Sequence, residues 1–156
     1  MRATPIVLGA CLGALGFQAQ AYCVYNELKD RSVSVLQDTH PESMREKRVF
    51  HRTVMPGEKE CCDHKNIDCN PDGKTMSPVG FTVKVLGDPV YVCGIPRGNE
   101  PGKIVKLAGA GTMRVQPNPK FNPNVKDAAL GTPYIARLWG ADNQDLTGPA
   151  GLPCRP

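Results

Sequence analysis

The chain has little with which to build a familiar catalytic centre. It holds three histidines, His40, His51 and His64, and a single tryptophan, Trp139. It contains neither a Gly-x-Ser-x-Gly elbow nor a His-Glu-x-x-His helix, which removes the common serine-hydrolase and zinc-protease patterns. Asn-x-Ser/Thr is absent, which excludes an N-linked glycan. Nineteen Lys and Arg stand against fifteen Asp and Glu, an excess too mild to require nucleic acid as a partner. The one basic cluster, Arg45, Lys47, Arg48 and Arg52, reads as a solvated strand edge and loop. After Phe17 no apolar run approaches the roughly 20 residues a membrane helix needs, so no membrane span is expected. No stretch sustains a 3.6-residue apolar stripe, which argues against helices as the framework.

What remains after these exclusions is an exported, cross-linked β domain. The start, MRATPIVLGACLGALGFQAQA, has the basic end, apolar centre and Ala19-Gln20-Ala21 site of a secretory signal peptide. Residues 1–21 are therefore expected to be removed, leaving a single domain over 22–156 and an extracellular location. A mature end at Tyr22 offers no N-terminal histidine for a copper site. Cys11 leaves with the leader, and Cys23, Cys61, Cys62, Cys69, Cys93 and Cys154 remain. An even number in an exported chain predicts three disulfides, while sequence leaves the connectivity open. Adjacent Cys61 and Cys62 require different partners. A Cys23–Cys154 bond would staple the two ends and is the preferred pair, worth about 4–5 kcal/mol by loop closure. Lys47-Arg48 is a dibasic pair of the kind that secretory proteases cut, and whether it is processed stays open.

Short alternating segments separated by turn residues predict the strands. They are YCVYNEL (22–28), SVSVLQ (32–37), KRVFHRTVM (47–55), GFTVKVLG (80–87), VYVCGI (90–95), KIVKLAG (103–109), TMRVQ (112–116) and TPYIARLW (132–139). Gly and Pro, 16 and 15 in number, supply the turns that so many strands require. Pro96 to Gly102 is expected as a turn-rich loop, QPNPKFNPNV (116–125) as an extended wrap, residues 126–130 as one helical turn, and the tail after Trp139 as irregular. The fold class expected is all-β, an antiparallel β-sandwich or small barrel stabilised by disulfides.

The segment from Pro56 to Gly73, PGEKECCDHKNIDCNPDG, concentrates chemistry-bearing residues. Cys61, Cys62, His64 and Cys69 suit zinc by type, but adjacent cysteines depart from Cys-x-x-Cys spacing and an oxidising compartment favours disulfides. Asp68, Asn70 and Asp72 alternate before Gly73 as in the start of a calcium loop. Val79, however, stands where the bidentate Glu belongs, and an Asx-rich turn accounts for the same residues without an ion. No metal and no cofactor is therefore expected, with calcium at Asp68, Asn70 and Asp72 as the alternative. His64 with its charged neighbours offers a contact surface. Trp139 with Tyr134, and Tyr22 with Tyr25, are the candidate aromatic platforms for a sugar or a protein, weighed against core packing.

On PGEKECCDHKNIDCN, the opening CVYN and the later FTVKV, the chain resembles small secreted cysteine-rich proteins of fungi, over roughly Tyr22 to Cys93. The resemblance implies a disulfide-held β domain outside the cell without an established reaction, and it carries over no catalytic residue. The expected function is non-enzymatic surface recognition of an extracellular polysaccharide or protein at a cell wall, host or neighbouring cell. Alternatives are a secreted hydrolase or carbohydrate-active enzyme built from scattered Asp, Glu and His, and a calcium-dependent binding module.

Overall fold

Inward-facing Phe81, Val83 and Val85, all without solvent exposure, show how alternation folds this chain. A computed structural model describes residues 20–38, 49–63, 66, 68–70, 74, 78–97, 100–108, 110–127 and 130–156. Most of the expected leader, the Lys47-Arg48 pair, His40, His64 and Asp72 lie outside these residues. The strands are β1 (Gln20–Asn26), β2 (Val33–Gln37), β3 (His51–Val54), β4 (Lys59–Asp63), β5 (Pro78–Val85), β6 (Tyr91–Cys93), β7 (Ile95–Arg97), β8 (Glu100–Ala108), β9 (Thr112–Pro117), β10 (Tyr134–Trp139) and β11 (Leu152–Arg155). The described residues contain no helix long and apolar enough to cross a membrane. The fold is all-β, as alternation and turn chemistry predict.

Nine strands follow one hydrogen-bonded path, β3-β2-β5-β6-β11-β10-β9-β1-β4, that curls into a nearly closed barrel. The long β5 serves two neighbours on one side: its first half pairs with β8 and its second half with β6. Every pairing is antiparallel except β1 with β9, which run parallel from Cys23↔Thr112 to Asn26↔Val115. The seam lies between β3 and β4, the two ends of the path, which are also joined by the tight Met55–Glu58 turn. Glu58 N–H donates to Met55 O, and Gly57 at φ +75° supplies the left-handed residue that follows Pro56. Asn26, buried at the end of β1, ties this seam together. Its amide donates to Val54 O at 3.0 Å and Arg31 O at 2.8 Å, and its Oδ1 accepts from Leu28 N–H at 3.1 Å.

Inside the barrel, Val24, Val33, Val35, Val54, Leu107, Met113, Val115, Ala136 and Leu138 pack with the β5 residues. Burying each of these side chains larger than alanine contributes about 1.5–3 kcal/mol before entropic costs. Tyr22 lies at the centre, edge-on to Phe50 at 5.3 Å and to Phe81 at 4.8 Å between ring centroids. Its hydroxyl donates to Gln37 Oε1 at 2.9 Å, so the polar ends of two buried side chains satisfy one another.

Three disulfides bind the strands: Cys23–Cys61, Cys62–Cys69 and Cys93–Cys154. The preferred Cys23–Cys154 staple is thereby corrected. Register decides the matter: Cys23 faces Cys61 across β1 and β4, and Cys93 faces Cys154 across β6 and β11. Cys61 and Cys62 project to opposite sides of β4 and take different partners.

Other segments depart from expectation for local reasons. The Pro56–Gly73 segment, where no strand is expected, contains β4, and the tail, expected as irregular, contains β11. Of the stretch expected as a loop from Pro96 to Gly102, residues 96–97 belong to β7 and 100–102 to β8, which pair antiparallel, while residues 98 and 99 lie outside the described residues. The 116–125 segment is not an extended wrap after Pro117. Asn118-Pro119-Lys120-Phe121 and Asn122-Pro123-Asn124-Val125 are two consecutive turns, each closed by a backbone bond and by an Asn side chain accepting from the N–H two residues on. Of the expected 126–130 turn, residues 128 and 129 lie outside the described residues. A bond from Gly131 N–H to Asp127 O spans it.

Candidate functional site

Four neighbouring strands, β4, β1, β9 and β10, carry a row of cations and aromatics on the outside of the barrel. Alternation places them there. Tyr22 and Val24 point inward from β1, so Tyr25 points outward; Met113 and Val115 do the same for Arg114, and Ala136 and Leu138 for Arg137 and Trp139. The register then aligns the strands. Lys59 faces Tyr25, Tyr25 faces Arg114, and Arg114 faces Arg137. Trp139 lies one step along β10, opposite Thr112.

The side chains stack along this row. Lys59 Nζ lies 5.8 Å and Arg114 Cζ 4.8 Å from the Tyr25 ring centroid. Arg114 Cζ is also 5.5 Å from the Trp139 ring, and Arg137 Cζ is 4.8 Å from it. Each contact is worth about 0.5–1 kcal/mol at an exposed site. Against this, two like charges directly opposite one another on paired strands are destabilising. Each arginine has one carboxylate beside it: Glu27 Oε1 lies 2.7 Å from Arg114 Nη1, and Asp145 pairs with Arg137. The Glu27 pair is well exposed, so it contributes little to stability.

Asp145 is the more firmly held partner. Its Oδ1 accepts from Thr147 N–H at 3.0 Å, Thr147 Oγ1 at 3.1 Å and Gly148 N–H at 2.9 Å. The hydrogen bond from Arg137 holds its carboxyl below the usual range, against a smaller desolvation effect, with Thr147 adding to the depression. Asp145 also bridges Trp139 through the backbone, while Asn143 takes the left-handed conformation at φ 61° in the intervening turn. Asparagine tolerates this conformation better than most residues.

Between these side chains lies an open cleft of about 420 Å³, lined by Glu27, Thr112, Arg114, Gln116, Arg137, Trp139 and Asn143. The lining offers one indole, two guanidiniums and several neutral hydrogen-bonding groups. It offers one carboxylate, where a glycoside hydrolase of the common type needs two. His51 sits exposed on β3 and is not part of this lining.

The aromatic pairs read from sequence are divided by the sheet. Tyr134 points inward and packs edge-on against Tyr91 at 5.1 Å, whereas Trp139, five residues on, points outward. Tyr22 is buried while Tyr25 faces out. Residues separated by an odd number on one strand cannot share a face, so neither pair forms a platform. Arg114, Arg137 and Glu27 were not foreseen as site residues. Asn66 Oδ1 accepts from Asp68 N–H at 3.0 Å, an Asx turn, and the buried Asn70 amide donates to Lys74 O at 2.8 Å. Among the described residues no three His, Cys, Asp or Glu side chains are grouped to hold a metal. Compared with protein-family models, curated proteins and solved structures, the chain matches none.

Proposed function

We propose that this is a secreted, non-enzymatic recognition protein that binds an extracellular polysaccharide through the outer face of β4, β1, β9 and β10. Export is supported by the basic and apolar leader and by three disulfides, which persist in oxidising compartments. The observation that carries the binding reading is Trp139, flanked by Arg114 and Arg137 and set in a cleft with Gln116, Thr112 and Asn143. An indole gives the apolar face of a sugar ring a surface to lie on, and the polar lining can serve its hydroxyls.

The test is direct. Purified protein lacking residues 1–21 is passed over immobilised wall polysaccharides, alongside Trp139→Ala and an outer-face control, Lys84→Ala on β5. Retention on at least one polysaccharide, lost in Trp139→Ala and kept in the control, is expected. Retention on none, or equal retention of the Trp139 variant when its melting temperature matches the parent, overturns the proposal.

A further inference from the structure

We infer that the polysaccharide is an acidic one, a chain of uronic-acid sugars whose carboxylate is read by Arg114 and Arg137. The inference rests on the cleft being the polysaccharide site. It begins from the charge along the row, where three cations, Lys59, Arg114 and Arg137, stand with two carboxylates, Glu27 and Asp145. Two arginines stand directly opposite one another on β9 and β10, against the tendency of paired strands to avoid like charges. A guanidinium has five N–H donors, yet Glu27 meets Arg114 through Nη1 and Asp145 meets Arg137 through Nη2. Arg137 Nε is buried and has no hydrogen-bond partner.

The two carboxylates differ in how freely they can give way. Asp145 is fixed by three donors from Thr147 and Gly148, so it positions Arg137 and does not turn toward a ligand. Glu27 is exposed, and its ion pair with Arg114 is of the weak surface kind. An incoming carboxylate can take its place on Arg114 at little cost and gains the planar, two-point match that guanidinium offers to carboxylate. Such a group would sit against the guanidiniums while its ring rests by Trp139. A neutral sugar would offer Arg114 no charge in exchange for Glu27.

The row also has an extended direction. From Arg137 through Arg114 and Tyr25 to Lys59 it crosses three strand spacings, about 14 Å at roughly 4.8 Å each. Cations at both ends of that span suit a polymer with a carboxylate on every sugar better than a single acidic monomer.

The experiment compares polygalacturonate, the same polymer methyl-esterified on its carboxyls, and a neutral glucan, using affinity electrophoresis and calorimetry with the protein lacking residues 1–21. Binding to polygalacturonate about tenfold tighter than to its ester is expected, weakening as salt is added. Arg114→Gln should erase the preference; Arg52→Gln, a cation on β3 outside the row, should keep it. Equal binding of the acidic and esterified polymers would overturn the inference while leaving polysaccharide recognition standing. An acid preference that persists in Arg114→Gln would overturn it as well, since the charge would then be read elsewhere. Absence of binding to all three polymers, with retention on some other neutral polysaccharide lost in Trp139→Ala, would likewise sink the acidic reading alone.

Discussion

Replacing Tyr22 by Phe removes one oxygen from the centre of the barrel and tests how the core tolerates polar groups. The ring's edge-on packing against Phe50 and Phe81 is retained, so the apolar contribution changes little. What is lost is the 2.9 Å bond to Gln37, whose side chain is only 3% exposed. Leaving that buried oxygen without its donor should cost about 1–3 kcal/mol. Gln37→Leu strands the hydroxyl instead and should cost a similar amount. The double variant removes both polar partners and should be less destabilised than the two singles added together. Urea unfolding of the four proteins measures this cycle.

The same hydroxyl has a pH signature. Burial raises the Tyr22 pKa well above its ordinary value, and Arg52 opposes this only in part. The folded state therefore keeps the proton while the unfolded chain loses it above about pH 10. This contribution to stability is intact below pH 10 and declines as pH rises, by about 1.4 kcal/mol per pH unit until the folded pKa is reached. Tyr22→Phe should lack that component, so the gap between variant and parent narrows between pH 10 and 11. A neutral single variant, strict additivity in the cycle, or parallel alkaline profiles would refute the reasoning.

Three further predictions rest on other parts of the barrel. Replacing the cysteine pairs by alanine should destabilise in the order of the loops they close. Loop closure predicts about 4 kcal/mol each for Cys93–Cys154 and Cys23–Cys61, with separations of 61 and 38 residues, and about 2 kcal/mol for Cys62–Cys69, with 7; urea midpoints in the reverse order would contradict it. Asn26→Asp should cost about 2–3 kcal/mol at neutral pH by turning an acceptor toward the carbonyls of Val54 and Arg31. The carboxyl's pKa would be raised in the fold, so that cost should shrink as pH falls below it, and a pH-independent loss would count against the seam as described. Gly111→Ala would place a methyl 2.6 Å from Leu107 Cδ1 and 2.7 Å from Trp139 O. It should cost about 1–3 kcal/mol by overpacking, visible as a lower melting temperature, whereas an unchanged one would mean the strands separate freely.

The strands with clean alternation were legible. Val33 and Val35 of β2, and Phe81, Val83 and Val85 of β5, face inward as their spacing predicts. β4 and β11 were not legible because their sequences, KECCD and LPCR, carry charges, cysteines and a proline in place of alternating β-branched residues. They become strands because one longer neighbour each, β1 for β4 and β10 for β11, and facing cysteines hold them in register. Trp139 could be singled out as the lone tryptophan, and parity along β10 was enough to separate it from Tyr134. The arginines could not be found in this way. Arg114 and its partner Glu27 are 87 residues apart and meet only because β1 and β9 run side by side in parallel. Parity tells which way a side chain points; it does not tell which strand lies next door.

The Cys23–Cys61 bond has a consequence for the dibasic site at Lys47-Arg48, which falls inside the 38-residue loop that it closes. A protease cutting there would produce two polypeptides and one molecule. The shorter piece would carry β1 and β2, including Tyr25 and Asn26, and would remain shackled to β4 through sulfur. Such a nicked protein would migrate as a single species until reduced and could keep the cation–aromatic row whole. Reduction would then leave β1 and β2, the strands next to β4 and β3 at the seam, with no covalent tie to the rest, so cleavage and redox state together, neither alone, would decide whether the two pieces part.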